Sequence, residues 1–319
     1  MNLLILSDLT PPVKIGKKLE DLFMISDYIL FNLEGSPNFQ NSFNKRDQIL
    51  KFNVLDLYDF LNQYSISKFI ISVANNHILD NGIENFNKFI KFLNDKDIKF
   101  GGDKNNPTIE IGDYLIYSFV SWETGIKSNY FKYLNSLRFN HRKIQRVIDN
   151  NRKKKIIIYP HWGMDLFQKT TKNHFDFIKK NINKDNLYIY GHHPHLIINE
   201  NEKNNYIFSL GNTFIPHPNY YQRFGDPVRY SLAILLNSDK DSYPTFFNIF
   251  YDDKQLEIIE KVSEDDFILK NIKRKIPRPK GVAVYDFALK IFLNLIDSIT
   301  SSKLYKYFRR KAFGKVEKE

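Results

Sequence analysis

The sequence predicts an α/β fold, and three observations carry that prediction. Short runs rich in Ile, Val, Phe and Tyr recur at residues 3–6, 28–31, 69–73, 114–120, 156–159, 187–190 and 206–210. Apolar residues at helical spacing separate several of them, and each run ends in a polar or glycine-containing cluster. Strands alternating with helices build buried sheets whose strands read as near-continuous apolar runs.

Taken in order, residues 3–6 end at Ser7-Asp8 and residues 28–31 at Asn32-Leu33-Glu34-Gly35. Residues 69–73 run into Ala74-Asn75-Asn76-His77, after which Phe86, Phe89, Ile90 and Leu93 predict a helix following Asn81-Gly82. Asp80 reads as a residue at the entry to that helix. Residues 114–120 lead to Trp122-Glu123, and residues 156–159 to Pro160-His161-Trp162-Gly163. Phe175, Ile178 and Ile182 predict a helix ahead of residues 187–190, which end at Gly191-His192-His193-Pro194-His195. Ser209-Leu210-Gly211-Asn212 closes the series. Residues 230–236 and 245–251 follow with no helical pattern between them, which predicts an antiparallel edge.

The 319 residues suffice for one large domain or two small ones, and the absence of cysteine excludes disulfides and thiolate metal sites. The apolar start stops at Ser7-Asp8, too short for a secretory signal, and no stretch reaches the roughly 18 uncharged apolar residues of a membrane span. A cytoplasmic protein is expected. The net charge of +11 is uneven: fourteen basic residues face four acidic ones from residue 270 onward, leaving residues 1–269 near neutral. The chain therefore reads as a body, 1–269, and a tail, 270–319. Prolines break the basic stretch 270–280 into a linker. Thirteen of the nineteen residues from 282 to 300 are apolar, with Asp286, Lys290, Asn294 and Asp297 on one narrow polar stripe. That pattern predicts a helix that packs on the body or rests, through residues 282–311, on an anionic membrane surface. No recognition motif supports nucleic-acid binding.

In open α/β sheets, ligands bind beyond the carboxyl ends of the strands. Five of the eight histidines, His77, His161, His192, His193 and His195, fall at such ends, together with Asp8, Glu34 and Asn76. Taken singly, an Asp after a strand is a turn residue and an Asn-His pair a satisfied loop. Six strand ends offering carboxylate, amide oxygen or imidazole make a nitrogen and oxygen donor set without sulfur. Such a set suits one or two divalent transition metal ions, Mn²⁺, Zn²⁺ or Fe²⁺. Trp122, Glu123, His217, Arg223 and Arg229 are weaker candidates for substrate contacts, the cations for a phosphate or carboxylate.

These motifs, with Asn32-Leu33-Glu34, Asn75-Asn76-His77, His161-Trp162-Gly163 and Gly191-His192-His193-Pro194-His195 in that order, resemble the capsule-synthesis CapA family. These are the poly-γ-glutamate capsule proteins within the calcineurin-like metallophosphoesterase superfamily. The resemblance covers about residues 1–235 and implies a four-layer α/β/β/α sandwich with a metal centre at its rim. It implies Asp8, Glu34, Asn76, His161, His193 and His195 as ligands, with Glu34 bridging, and His77 as the transition-state histidine or general acid. His192 receives no ligand role and stands behind them. Where the superfamily opens with Asp-x-His, this chain has Asp8-Leu9-Thr10, so the first metal lacks one imidazole. The implied activity is a metal-dependent hydrolase or transferase acting on a phosphoester or amide link of a surface-polymer precursor, on the inner face of the membrane. The alternative is a non-catalytic metal-binding assembly subunit.

Overall fold

The structure, a computed structural model, describes residues 1–39, 50–137, 141–166, 172–199, 205–216, 221, 226–238 and 243–262. The expected tail helix, with its membrane-facing residues 282–311, lies outside the described residues, as do His217 and Arg223. Among the described residues no helix is long and apolar enough to cross a membrane.

The chain first lays down β1 (Asn2–Leu9), α1 (Lys17–Ile25), β2 (Tyr28–Leu33), the parallel pair β3 (Ser36–Asn38) and β4 (Lys51–Asn53), and α2 (Val54–Gln63). There follow β5 (Phe69–Ser72), α3 (Ile83–Asp95), β6 (Lys99–Gly101), β7 (Thr108–Ile111), β8 (Tyr114–Ser121), β9 (Ser136–Leu137) and α4 (Arg142–Asn150). After these come β10 (Lys155–His161), α5 (Lys172–Asn181), β11 (Leu187–Tyr190), β12 (Ile197–Ile198), β13 (Tyr206–Ile207), β14 (Ser209–Leu210) and β15 (Asn212–Phe214). A meander of β16 (Tyr230–Asn237), β17 (Thr245–Tyr251) and β18 (Leu256–Val262) follows.

Two main sheets result. The first has the order β18-β17-β16-β1-β2-β5-β6, with β15 set against β1, and the second the order β13-β11-β10-β8-β7, with β9 set against β8. Strands β1, β2, β5 and β6 are parallel, and so are β8, β10, β11 and β13. The strand period of two divides each sheet's side chains between its faces. Leu3, Ile5, Leu30 and Ile70 of the first sheet share one buried cluster with Ile116, Ile157, Tyr159, Tyr190 and Ile207 of the second. On the opposite face of the first sheet, Phe69 meets Phe31 at 6.2 Å, Phe23 of α1 at 6.3 Å and Phe60 of α2 at 6.1 Å.

The segment 206–214 stitches the sheets together. It begins in the second sheet as β13 and ends in the first as β15, where Asn212 stands opposite Asp8. Ser7 holds it there, donating through its hydroxyl to the Gly211 carbonyl at 2.6 Å and through its amide to Thr213 Oγ1 at 3.0 Å. The expected single strand 206–210 is thus two, β13 beside β11 and β14 antiparallel to β12. The switch needs Gly211, at φ +89°, whose Cβ would stand 2.5 Å from the Tyr230 carbonyl oxygen.

Other differences are local. The antiparallel edge is present as β16 and β17, but β16 pairs with β1, Leu3 opposite Leu236, and β18 extends the edge beyond the expected pair. Helix α5 buries His174, Phe177, Ile178 and Asn181 and leaves Phe175 36% exposed. Two polar residues outrank an aromatic because both find buried hydrogen-bond partners.

Gly191 must be glycine for want of space. A Cβ there would meet the Phe208 carbonyl oxygen at 2.1 Å and Trp162 Nε1 at 2.3 Å. Gly191→Ala should therefore destabilise the protein by about 3 kcal/mol, visible as a lower thermal midpoint.

Candidate metal centre

The carboxyl ends of both sheets deliver their polar residues to one buried cluster. Asp8 is not beyond its strand but within it, after a register shift between Ile5 and Asp8 that aligns it with Asn32 of β2. Its carboxylate is fully buried, and a buried charge must be bonded on all sides. Asn32 Nδ2 donates to Asp8 Oδ1 at 2.8 Å, the His193 amide donates to Oδ2 at 3.0 Å, and His192 Nδ1 lies 2.8 Å from Oδ1. Burial works against the charge, but the groups bonded around it, His192 foremost, outweigh it and hold the carboxyl well below its usual range. Asn32 also donates to Glu34 Oε2 at 2.9 Å, so one amide fixes both carboxyl groups. Burial, reinforced by the charge of Asp8, pushes the Glu34 carboxyl well up.

His161 comes from the end of β10. Its Nδ1 lies 2.9 Å from His192 Nδ1, 3.6 Å from Asp8 Oδ1 and 3.7 Å from Glu34 Oε2. Its Nε2 donates to Asn76 Oδ1 at 2.8 Å, an orientation set by the Asn76 amide nitrogen donating to the Thr124 carbonyl at 3.0 Å. Burial lowers His161 to about 3, so the ring is neutral and its Nδ1 lone pair faces the carboxylates. His193 is likewise held down by burial, and its ring lies 4.5 Å from that of His161. His193 and His195 have φ of +98° and +57°. A non-glycine residue tolerates that region only where its surroundings over-determine it, a condition common at functional sites.

The donor chemistry fits a divalent cation. Ligand atoms of Asp8, His161 and His192 lie within 4.8 Å of one another. Buried atoms beside them, Glu34 Oε1, His193 Nδ1 and His192 Nε2, have no hydrogen-bond partner. Lone pairs buried without a protein donor are what a cation would satisfy. The geometry brings in His192, to which the resemblance gave no ligand role, while Asn76 Oδ1 accepts from His161. Thr10 donates its hydroxyl to the Glu34 carbonyl at 2.5 Å.

His77 stands at the edge of the centre with its side chain 37% exposed, Nε2 4.0 Å from Glu34 Oε1. Its Nδ1 lies 2.8 Å from Asp80 Oδ2, and Lys127 donates to Asp80 Oδ1 at 3.3 Å. Helix α3 begins after Gly82, so Asp80 does not cap it but orients His77. Burial raises Asp80, yet His77 and Lys127 outweigh this and keep it ionised. An Nδ1–H bonded to that carboxylate leaves Nε2 as an acceptor, and Asn76 Nδ2 donates to it at 3.3 Å.

The sequence reading missed a further chain of groups behind the centre. Buried Glu123 pairs with His174 Nε2, and His174 Nδ1 lies 2.8 Å from His141 Nε2. Glu123 Oε1 also accepts the Gly163 amide at 3.3 Å, bracing the loop that follows His161. Trp122 opens the same 3-10 turn, Trp122–Thr124. Arg229 is committed elsewhere, to Asp253 Oδ1 at 2.7 Å and the Tyr251 carbonyl at 3.2 Å.

Three imidazoles are held down by burial, His161 and His141 to about 3 and His193 well below its usual range, whereas Glu34 is held up. Below pH 6.5 the unfolded chain protonates three histidines that the folded one keeps neutral, while the raised Glu34 works in the opposite direction. With three histidines against one carboxyl, metal-free protein should take up protons on unfolding and lose stability as pH falls from 6.5 to 5. Thermal midpoints across that range check the sign. Glu123→Ala, which strands the His174 donor, should cost about 1–3 kcal/mol by denaturant titration.

A family model described as bacterial capsule synthesis protein PGA_cap matches residues 10–216, well over half the chain. No curated protein matches the sequence. The matched segment contains Glu34, Asn76, His77, His161 and the Gly191-to-His195 loop, the same residues that the fold assembles around Asp8. The chain belongs to the bacterial capsule synthesis protein PGA_cap family.

Proposed function

We propose that the protein is a metal-dependent hydrolase or transferase acting on a phosphoester or amide link during synthesis of a capsule or another surface polymer. The carrying observation is the buried, sulfur-free convergence of Asp8, His161 and His192, with Glu34 beside them, where two sheets meet. Family membership supports the capsule context. The shared core of the two sheets, with α1 and α2 against the far side of the first, supports reading the body as an α/β/β/α sandwich.

Asp8, His161, His192 and Glu34 would hold the ion, with His193 and His195 next to them. A divalent Mn, Zn or Fe ion there supplies Lewis-acid polarisation of the scissile group and acidifies water. The protein's own part is orientation and proton handling. Asn32 keeps both carboxyl groups in place, Asn76 fixes the ring of His161, and His77, steered by Asp80, delivers a proton from Nε2 to the leaving oxygen or nitrogen. The substrate is a polymer precursor, met on the inner face of the membrane.

Thr10 favours keeping a second reading, a non-catalytic metal-binding subunit of an assembly complex, because its hydroxyl is spent on a structural hydrogen bond where the superfamily has a ligand. Metal content by plasma mass spectrometry, on protein purified without an affinity tag, separates the two when combined with a phosphoester and amide substrate screen. Wild type should carry one or two equivalents, and His161→Ala should lose them. His77→Ala should keep the metal while turnover falls by about 10²–10⁴. Metal without turnover would select the assembly subunit, and no metal after reconstitution would overturn both readings.

A further inference from the structure

The charge of the body is as uneven as that of the whole chain. Residues 141–186 hold twelve Lys and Arg against four Asp, whereas the remainder of residues 1–269 has seven more acidic than basic residues. The fold gathers much of this cationic segment onto two adjacent helices. The His141 ring, just ahead of α4, stacks at 4.5 Å on Phe177 of α5. One turn on, Asn181 Nδ2 donates to Gln145 Oε1 at 3.4 Å, and a further turn on Lys184 Nζ lies 3.8 Å from Asp149 Oδ1. Contacts advancing together along both helices mean that α4 and α5 run parallel, side by side and in step.

Each helix buries its other side. Ile144 and Ile148 of α4, and Phe177 and Ile178 of α5, face the interior. The outward sides therefore form one broad surface, exposing Arg142, Lys143 and Arg146 on α4, Arg152 and Lys153 just beyond it, and Lys179 and Lys180 on α5. Asp149 is offset by Arg152 at 3.7 Å and by Lys184. Phe175, one turn before Lys179, is 36% exposed on α5 and is followed by the exposed Asp176.

We propose that this α4–α5 face docks on an anionic lipid bilayer. The partner follows from shape and charge. Cations spread over the width of two parallel helices match a plane of anionic headgroups, to which each Lys or Arg near the surface is attracted. A partly exposed aromatic ring one turn from Lys179 suits the apolar boundary beneath that plane. The proposal concerns the body alone and stands whether or not the centre holds metal.

Flotation of the full-length protein with phosphatidylglycerol-containing vesicles, against phosphatidylcholine alone, tests it at about 0.1 M and about 0.5 M salt. Wild type should float only with the anionic vesicles and detach at the higher salt. A variant with Lys143, Arg146, Lys179 and Lys180 replaced by Gln should bind at least about tenfold more weakly. A control with Lys17, Lys18, Lys88 and Lys91 replaced by Gln, on α1 and α3, loses the same charge and should bind as wild type. Unchanged thermal midpoints show that both variants fold. Equal losses in both variants, no loss in the first, or wild type that binds duplex nucleic acid and no vesicle would each overturn the proposal.

Discussion

The structure depends on keeping one ionised carboxylate, that of Asp8, out of water. An isolated buried charge is too costly to persist, so every lone pair of Asp8 must meet a donor. The donors come from three places: Asn32 on the neighbouring strand, the His193 amide from the loop after β11, and the His192 ring from that same loop. The first lies in one sheet, while the others end the second. Satisfying Asp8 thus fixes how the carboxyl ends of the two sheets meet, and the positive φ of His193 is part of that arrangement. Tyr159 adds a second tie, its hydroxyl donating to the Leu6 carbonyl at 2.6 Å while its ring lies 4.5 Å from His192.

Around this anchor the neighbouring carboxyl and imidazole groups are held in opposed protonation states by a common cause. Burial disfavours charge on any group, so it raises Glu34 and lowers His161 and His193, whereas Asp8, with its full set of donors, is held in its charged form. Neutral imidazoles beside a retained carboxylate form a donor set prepared for a cation. The Glu123 brace and the Asp80–His77 pair lie outside that inner group and serve it differently: one holds a loop, the other aims a ring.

Much of this was legible in the sequence because a parallel sheet writes its function at its strand ends. Asp8, Glu34, His77, His161 and the 191–195 loop could each be placed by following an apolar run to where it stops. Pairings across the fold could not. Glu123, His174 and His141 come from three elements, and nothing local to any of them announces the chain they form. Helix α5 shows the same limit, since its inward face was chosen by the partners of His174 and Asn181, not by the hydrophobicity of Phe175. Asp80 lies only three residues from His77, but its carboxylate turns toward the ring instead of toward the helix it precedes. The division of 206–210 into two strands was hidden because an apolar run does not record which sheet it joins.

The pairing of β1 with β16 has a consequence for how the molecule is made. Strand β1 carries Asp8, yet Leu3 pairs with Leu236, far later in the chain, and the Met1 amino group bonds to Ser238 Oγ at 2.8 Å. The segment that resembles the family ends at residue 216, before that partner strand begins. During translation, β1 must wait with one edge unpaired until more than two hundred further residues have emerged. Such distant pairing slows folding and leaves an apolar edge open to wrong partners. The strand that founds the centre is thus among the last to be enclosed, and the meander after the family segment protects a nascent chain as well as completing a sheet.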